Sequence, residues 1–339
     1  MFTWFEFFRN QREKLPIPIG DFTGKTVIVT GANIGTGLEA ARHFARLGAA
    51  KLILACRSTE KGEAARREIL ETTSTTTAQD LAIEVWQVDL SAFDSVKEFC
   101  RRVNETLDRV DVVIENAGVS LAQFESGVDG YDTIITVNVI STFLMALLLL
   151  PKLRETAARF NVMPRLVLVA SEIHYVCKFN EKSAPSIFNA FNTVDNFTDR
   201  YGSSKLMMLM LARELARQTS QSSATGASPV VINAPSPGFC SSSFFRNVPF
   251  PYSVMIAFLL FLFGRSSEMG SRALVHAATT AEDTHGDFLM NCRVYEPKPF
   301  VEAENGKRTQ ERLWAELLEI LETVEPGISH NVMFKREDT

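Results

Sequence analysis

Metal-ligand and disulfide patterns are what this sequence most plainly lacks. Its five cysteines, Cys56, Cys100, Cys177, Cys240 and Cys292, are scattered with no CxxC pair, and its five histidines show neither HExxH nor finger spacing. The first absence points to reduced intracellular thiols, and the second leaves no metal site to predict. Positive charge is also scarce. With 35 Lys and Arg against 40 Asp and Glu, the net charge is −5, so no basic stripe exists to neutralise phosphates and a nucleic-acid partner is excluded.

Long apolar runs are missing too. The two longest, "FLMALLLL" (143–150) and "VMIAFLLFLF" (254–263), fall short of the about 20 residues a spanning helix needs. The first follows Asn138, Ser141 and Thr142, ends at Pro151 and reads as a buried core helix. The second lies between Pro249/Pro251 and Gly264 and reads as an exposed loop segment, suited to dip into a membrane interface or to cover an apolar substrate. The opening "MFTWFEFF" has neither the basic start nor the uninterrupted apolar core of a signal peptide. A cytoplasmic protein follows, with no transmembrane span and with peripheral membrane contact left open.

What is present is an alternation. Short β-branched runs, "TVIVT" (26–30), "KLILAC" (51–56), "AIEVWQV" (82–88), "DVVIEN" (111–116), "RLVLVAS" (165–171), "VVINAP" (230–235) and "DFLMN" (287–291), are separated by helical patterns at 37–47, 59–71, 93–107, 131–160, 200–218 and 267–279. Near-continuous apolar strands between amphipathic helices mean a parallel sheet covered on both faces. The predicted fold is α/β: one Rossmann-like domain with a doubly wound, seven-stranded parallel sheet and a ligand crevice at the strands' carboxyl ends. That domain spans 21–300, after an N-terminal extension (1–20) and before a helical tail (301–339) whose Leu313, Leu317, Leu321 and Val324 form one apolar face. "ETTSTTTAQD" (71–80) reads as a solvated loop. The stretches 174–199 and 239–266 are long for simple connections and read as substrate loops.

In "VIVTGANIGTGLEAARHFARLG" a strand runs straight into a helix, with Gly31, Gly35 and Gly37 in the turn. Glycines there let backbone approach a ligand, and the helix N-terminus offers unpaired N–H groups to a phosphate. The same triplet would also serve a plain tight turn. About 20 residues on, where an acid would take a ribose 2′-hydroxyl, stand Arg57 and Ser58, with no carboxylate until Glu60. A guanidinium suits a 2′-phosphate, so NADP(H) is predicted over NAD(H). In "YGSSKLMML" (201–209), Tyr201 and Lys205 are four apart and share a helix face. An ammonium near a phenol stabilises phenolate and brings an otherwise sluggish acid-base group, of pKa about 10, towards its working range.

TGANIGTG, Asp89 in "QVDL", "ENAG" (115–118), Asn138 in "TVNV", Ser171, Tyr201-Gly-Ser-Ser-Lys205 and "PSPG" (235–238) occur in the order of the short-chain dehydrogenase/reductase family, which residues 24 to 295 resemble. "VNVISTFLMALLLLPKL", "YGSSKLMMLMLARELA" and "RSSEMGSRALVHAA" look like fungal retinol-dehydrogenase-like members, many of them from secondary metabolism. The resemblance implies Tyr201 as proton donor and acceptor, Lys205 on the nicotinamide ribose, Ser171 holding the substrate oxygen and Asn138 anchoring a water chain. It implies cofactor contacts from Gly31, Asn33, Ile34, Gly35 and Gly37, from Asp89 and Leu90 at the adenine, and from Asn116, Ala117 and Gly118 under its ribose. Pro237 and Gly238 would face the nicotinamide, and Ser242 stands where the family often has Thr. Thr36 and Glu115 depart from the usual apolar residues.

The expectation is thus an NADP(H)-dependent oxidoreductase interconverting a ketone or aldehyde and an alcohol on a bulky hydrophobic molecule, such as a polyketide or terpenoid. A non-redox epimerase, dehydratase or cyclase on the same fold, or a non-catalytic cofactor-binding scaffold, stays open. So do homodimer and monomer.

Overall fold

The computed structural model describes residues 4–73, 81–121, 124–127, 130–193, 199–222, 228–241 and 252–333. Helix α1 (Trp4–Arg12) precedes β1 (Thr26–Thr30), α2 (Gly35–Arg46), β2 (Lys51–Cys56), α3 (Thr59–Thr72), β3 (Ala82–Gln87), α4 (Phe93–Thr106) and β4 (Val112–Glu115). The chain continues through α5 (Thr133–Ile135), a π-helical turn (Thr136–Ile140), α6 (Ser141–Phe160), β5 (Arg165–Leu168), α7 (Arg200–Ser222) and β6 (Val231–Ser236). It ends with α8 (Tyr252–Phe263), α9 (Ser267–Ala277), β7 (Phe288–Met290), β8 (Arg293–Val294), α10 (Pro299–Glu302) and α11 (Glu304–Val324). The strands form one sheet in the order β3-β2-β1-β4-β5-β6-β7-β8, parallel except for the last pair. Chain direction across the sheet reverses between β1 and β4, so the crevice opens where their carboxyl ends part.

Period-two alternation divides the core. Val27 and Val29 of β1 point to one side with Leu52, Leu54, Phe44 and Leu274, under α2, α3 and α9. Ile28 points to the other with Val113, Leu166, Phe143 and Leu209, under α4, α6 and α7. Asp132 starts the α5 segment: one carboxylate oxygen caps Ile134 and Ile135, and the other takes Arg200 Nη1 at 2.8 Å in a fully buried ion pair. Pro151 lies inside α6 and has no N–H for the Leu147 carbonyl four residues earlier; Asn331 Nδ2 donates to that carbonyl at 3.2 Å instead.

The sheet has eight strands rather than seven. The extra one, β8, is two residues long and turns back on β7 through Asn291 and Cys292, both at positive φ as a two-residue hairpin requires. Residues 254–263 are not a loop: they form α8, a charge-free helix with Phe258 61% and Phe261 86% exposed. It packs on α1, where Phe8 and Phe263 rings lie 4.2 Å apart. Among the described residues one stretch, Thr133–Phe160, is long and apolar enough to cross a membrane, but 89% of its apolar window is buried inside the protein. The described part of the 174–199 connection, residues 174–193 and 199, is largely packed. Phe179, Ile187, Phe188 and Phe191 are core residues, and Glu316 of α11 accepts the Ile187 N–H at 2.7 Å. Helix α11 buries Leu313, Leu317 and Leu321, with Val324 only partly covered. Most of 71–80 lies outside the described residues, and α3 runs to Thr72.

Candidate active site

The crevice starts at the glycine turn. Gly31, at φ 66°, donates its N–H to Ala55 across the sheet at 2.8 Å. A Cβ on Gly37 would lie 2.5 Å from both the Gly31 carbonyl oxygen and Asn116 Nδ2. Only glycine allows β1, α2 and the loop after β4 to meet this closely. Thr36 Oγ1 donates to Asn116 Oδ1 at 2.8 Å, Asn116 Nδ2 to Thr30 O at 3.0 Å and Ala117 N–H to Thr30 Oγ1 at 2.9 Å. The hydroxyl of Thr36, a departure from the family pattern, thus ties the turn to the Asn116 loop.

The first turn of α2 carries no acid, and Ile34, at its N-cap and half exposed, supplies no side-chain cap. Asn33 and Gly35 lie partly buried beside it. Those N–H groups are therefore available to a phosphate. Arg57 is exposed at the end of β2, and its guanidinium makes no hydrogen bond or ion pair among the described residues. The open helix terminus and this unpaired cation fit a phosphate-bearing dinucleotide. Ser58 is already engaged: its Oγ caps α3 by accepting the Lys61 N–H at 3.3 Å. Asp89 holds Ser91 through its N–H (2.9 Å) and hydroxyl (2.7 Å), and the Leu90 side chain is buried in the core, which leaves only its backbone to face the crevice.

At the other end of the crevice α7 brings Tyr201 and Lys205 to the exit of β5. The Tyr201 hydroxyl hydrogen-bonds the Ser171 side chain. Lys205 Nζ donates to the Val169 carbonyl at 2.6 Å, and burial pushes its pKa down to about 8. The Tyr201 phenol moves the other way from the expected depression. Burial holds its pKa above the ordinary tyrosine range, partly offset by the Ser171 bond. Asn138, in the π-helical turn, is fully buried and spans three segments: Oδ1 accepts the Val119 N–H (2.8 Å), and Nδ2 donates to Val119 O (2.9 Å) and Ser204 Oγ (3.1 Å). It pins the chain beyond Gly118 to the YGSSK helix. A Cβ on Gly118 would lie 3.2 Å from Asn138 Oδ1 and 3.7 Å from Lys205 Nζ. Pro237 and Gly238 (φ 83°) form the turn after β6, and Ser242 lies outside the described residues.

His174 and Cys177 fall in the stretch that reads from sequence as a substrate loop, and the sequence singles out neither Glu172 nor Ser236. His174 is fully buried; its Nε2 accepts the Lys298 N–H at 3.3 Å, so Nδ1 carries the proton and donates to the Ser171 carbonyl at 2.7 Å. Burial pushes its pKa down to about 4. The Cys177 thiol, buried beneath Gly202, is pushed up to about 12 by desolvation and is no nucleophile. Glu115, which departs from the family pattern, is buried with neither carboxylate oxygen hydrogen-bonded among the described residues, and burial alone carries its pKa well above the usual carboxylate range. Two surface cavities, of about 330 and 410 Å³, lie away from this crevice: one beside Lys25, Asp111 and Arg165, the other beside Arg213, Arg217 and His285.

A glycine turn at the switch point of a doubly wound sheet, facing a Ser–Tyr–Lys set across the crevice, defines a nicotinamide-dependent oxidoreductase. The chain belongs to the short-chain dehydrogenase/reductase family. The short chain dehydrogenase family model matches residues 25–171. The short chain dehydrogenase/reductase dmxR8 of Cryptosporiopsis sp. is 40% identical over 325 residues, covering 94% of this chain and 97% of that protein. The short chain dehydrogenase atnD of Emericella nidulans is 41% identical over 290 residues, covering 84% and 90%. Among solved structures, an uncharacterised protein from Mycobacterium paratuberculosis superposes with a TM-score of 0.66 at 25% identity over 90% of this chain and 96% of its own. A short-chain dehydrogenase from Sphingobium yanoikuyae in complex with NADPH gives 0.55 at 20% identity over 74% and 82%, a likeness of fold.

Proposed function

We propose that this chain is an NADP(H)-dependent oxidoreductase that interconverts a ketone or aldehyde and an alcohol on a bulky apolar molecule of fungal secondary metabolism. The observation that carries the reading is the Tyr201–Ser171 hydrogen bond at the mouth of β5, with Lys205 one helical turn along. In reduction, Ser171 holds the substrate's carbonyl oxygen and Tyr201 delivers the proton that turns it into a hydroxyl. The raised phenol pKa keeps that proton in place at neutral pH, ready for the developing alkoxide, a far stronger base. The nicotinamide, when bound, supplies the hydride to the carbonyl carbon and takes it back in oxidation. Lys205 holds the nicotinamide ribose, Asn138 fixes the Lys205 helix against the loop after β4, and Gly31 to Gly37 take the pyrophosphate. Arg57 takes the 2′-phosphate, and Asp89 with Asn116 to Gly118 borders the adenosine.

We take the segments 174–199 and 239–266 as the substrate loops of this domain (21–300), which lies between the 1–20 extension and the 301–339 tail. The exposed apolar face of α8, beside exposed Arg9, Arg12 and Lys14, supports a cytoplasmic protein that touches membranes peripherally, as monomer or homodimer.

Fluorescence titration of NADPH and NADH tests the reading, on wild type and Arg57→Ala. We expect NADPH to bind about tenfold or more tightly than NADH, and the preference to vanish in the variant. If neither dinucleotide binds, the oxidoreductase reading falls. If both bind but no carbonyl probe consumes NADPH, a non-redox reaction replaces it.

A further inference from the structure

The extension before β1 reaches the reacting end of the crevice. Asn10 and Gln11, at the end of α1, are almost fully buried. The Gln11 side chain uses both ends of its amide: Nε2 donates to Glu172 Oε1, and Oε1 accepts the Phe239 N–H at 3.2 Å. Glu172 directly follows Ser171, and Phe239 directly follows Gly238. Beneath them a second bridge runs through Ser236 Oγ, which accepts the Glu172 N–H at 3.1 Å and the Gly238 N–H at 3.2 Å. Two loops that must keep a set distance, one bearing the hydroxyl and one bearing the Pro237–Gly238 turn, are thus stapled twice. One staple is local to β6; the other is supplied by a residue 161 positions away from Glu172.

The helix is itself tied down. Arg265, 4% exposed, donates from Nε to Gln11 O at 3.4 Å and from Nη2 to Asn10 O and to Asn291 Oδ1 (2.7 Å). Asn291 Nδ2 donates in turn to Glu13 Oε2 at 2.8 Å. The Arg265 N–H also donates to Phe239 O at 2.9 Å, so the same arginine holds both the helix and the turn the helix reaches. A Cβ on Gly238 would come within 2.8 Å of Arg265 Nη1 and 3.2 Å of Gln11 Oε1, so these two side chains form the back of that turn. An amide meets both demands, a donor for Glu172 and an acceptor for Phe239. A carboxylate at position 11 would set a second acid against Glu172 in place of the amide donor, and an apolar side chain would take away the partner of both the Phe239 N–H and Glu172 Oε1.

We infer that Gln11 is a positioning residue of the active site, the amide through which the N-terminal helix sets the spacing between the Ser171 segment and the Pro237–Gly238 turn. The inference rests on the function proposed above, since it is that reading that makes this spacing matter for the reaction. The crevice's glycine-turn end lies on other elements, so loss of Gln11 misplaces the reacting groups and leaves the dinucleotide's phosphates held.

Three variants test this: Gln11→Met, which keeps the bulk and removes both hydrogen bonds, and the exchange pair Gln11→Glu alone and combined with Glu172→Gln. Thermal midpoint, NADPH affinity by fluorescence, kcat and KM with 9,10-phenanthrenequinone as carbonyl probe, and hydrogen exchange at the Phe239 amide are read on each. We expect Gln11→Met to lower kcat by about tenfold or more, the order a sub-ångström to ångström misplacement produces, with NADPH affinity and thermal midpoint near wild type. The Phe239 amide should exchange faster in it. Gln11→Glu should be as impaired, and the double exchange, which restores one donor facing one acceptor, should recover most of the rate. A Gln11→Met protein with unchanged kcat overturns the inference. So does one in which kcat, NADPH affinity and thermal midpoint fall together, because that is a loss of fold. A wild type that binds no NADPH but protects the Phe239 amide overturns the proposed function instead.

Discussion

The two ends of the crevice are built in opposite ways. At the glycine turn the chain is held by backbone and by small groups close to the strands that carry them: Gly31 on Ala55, Gly37 against Gly31, Thr36 and Thr30 on the Asn116 loop. At the reacting end, buried polar side chains from Gln11, Asn138, His174, Arg265 and Asn291 hold the loops, each reaching another segment or the turn next to Ser171. The first end tolerates change only where a methyl finds room. The second depends on buried hydrogen bonds between segments, where one lost partner strands another inside the protein; Glu172 Oε2 and Arg265 Nη1 are already without a hydrogen-bond partner among the described residues.

That contrast can be broken most sharply at Tyr201. Tyr201→Phe should cut turnover of a carbonyl probe by about 10²- to 10⁴-fold, with NADPH affinity retained, since only the proton donor is gone. NADPH consumption beside a binding titration reads this, and a variant with ordinary turnover would dethrone the phenol. A smaller effect is expected at the opposite end. Gly37→Ala places a methyl against the Gly31 carbonyl and should destabilise the fold by about 1–3 kcal/mol, with weaker NADPH binding. An unchanged denaturation midpoint would show that the turn has slack.

The third test uses pH. His174 is neutral when folded, with its pKa lowered from 6.5 to about 4. Between those values the unfolded chain binds the extra proton, so the stability His174 confers is complete above about pH 6.5 and is lost as pH falls towards 4, by up to about 3 kcal/mol. Glu172 works in the opposite sense: raised by burial from 4.5 to about 7, it disfavours the fold as pH rises through that window. Wild type minus His174→Gln, followed by urea denaturation from pH 7 to 5, isolates the first contribution. A flat difference would mean that the imidazole is not held as described.

The same contrast explains what could be read in advance. The strands, the glycine turn and the Tyr201–Lys205 face follow from short-range pattern: period two, period 3.6 and glycines in one turn. Helix α8 escapes the sequence reading because prolines on one side and glycine on the other suggest a loop, while ten apolar residues in a row carry no period to tell helix from coil. Strand β8 is two residues long and leaves no pattern at all. His174 offered a faint signal in standing three residues after Ser171. Gln11 offered none, because its role exists only once α1 has been carried across the body by contacts more than 150 positions apart.

The β7–β8 hairpin also changes what the edge of the sheet presents to its surroundings. A bare parallel edge at β7 would present a row of unpaired N–H and C=O groups, an invitation to a neighbouring sheet. Here the Asn291–Cys292 turn folds the chain back, and Tyr295 N–H closes on Phe288 O at 2.9 Å. Two residues thereby cover the β7 edge, and the backbone left open at this end of the sheet shrinks to the outer side of β8, a strand too short to template a long ladder.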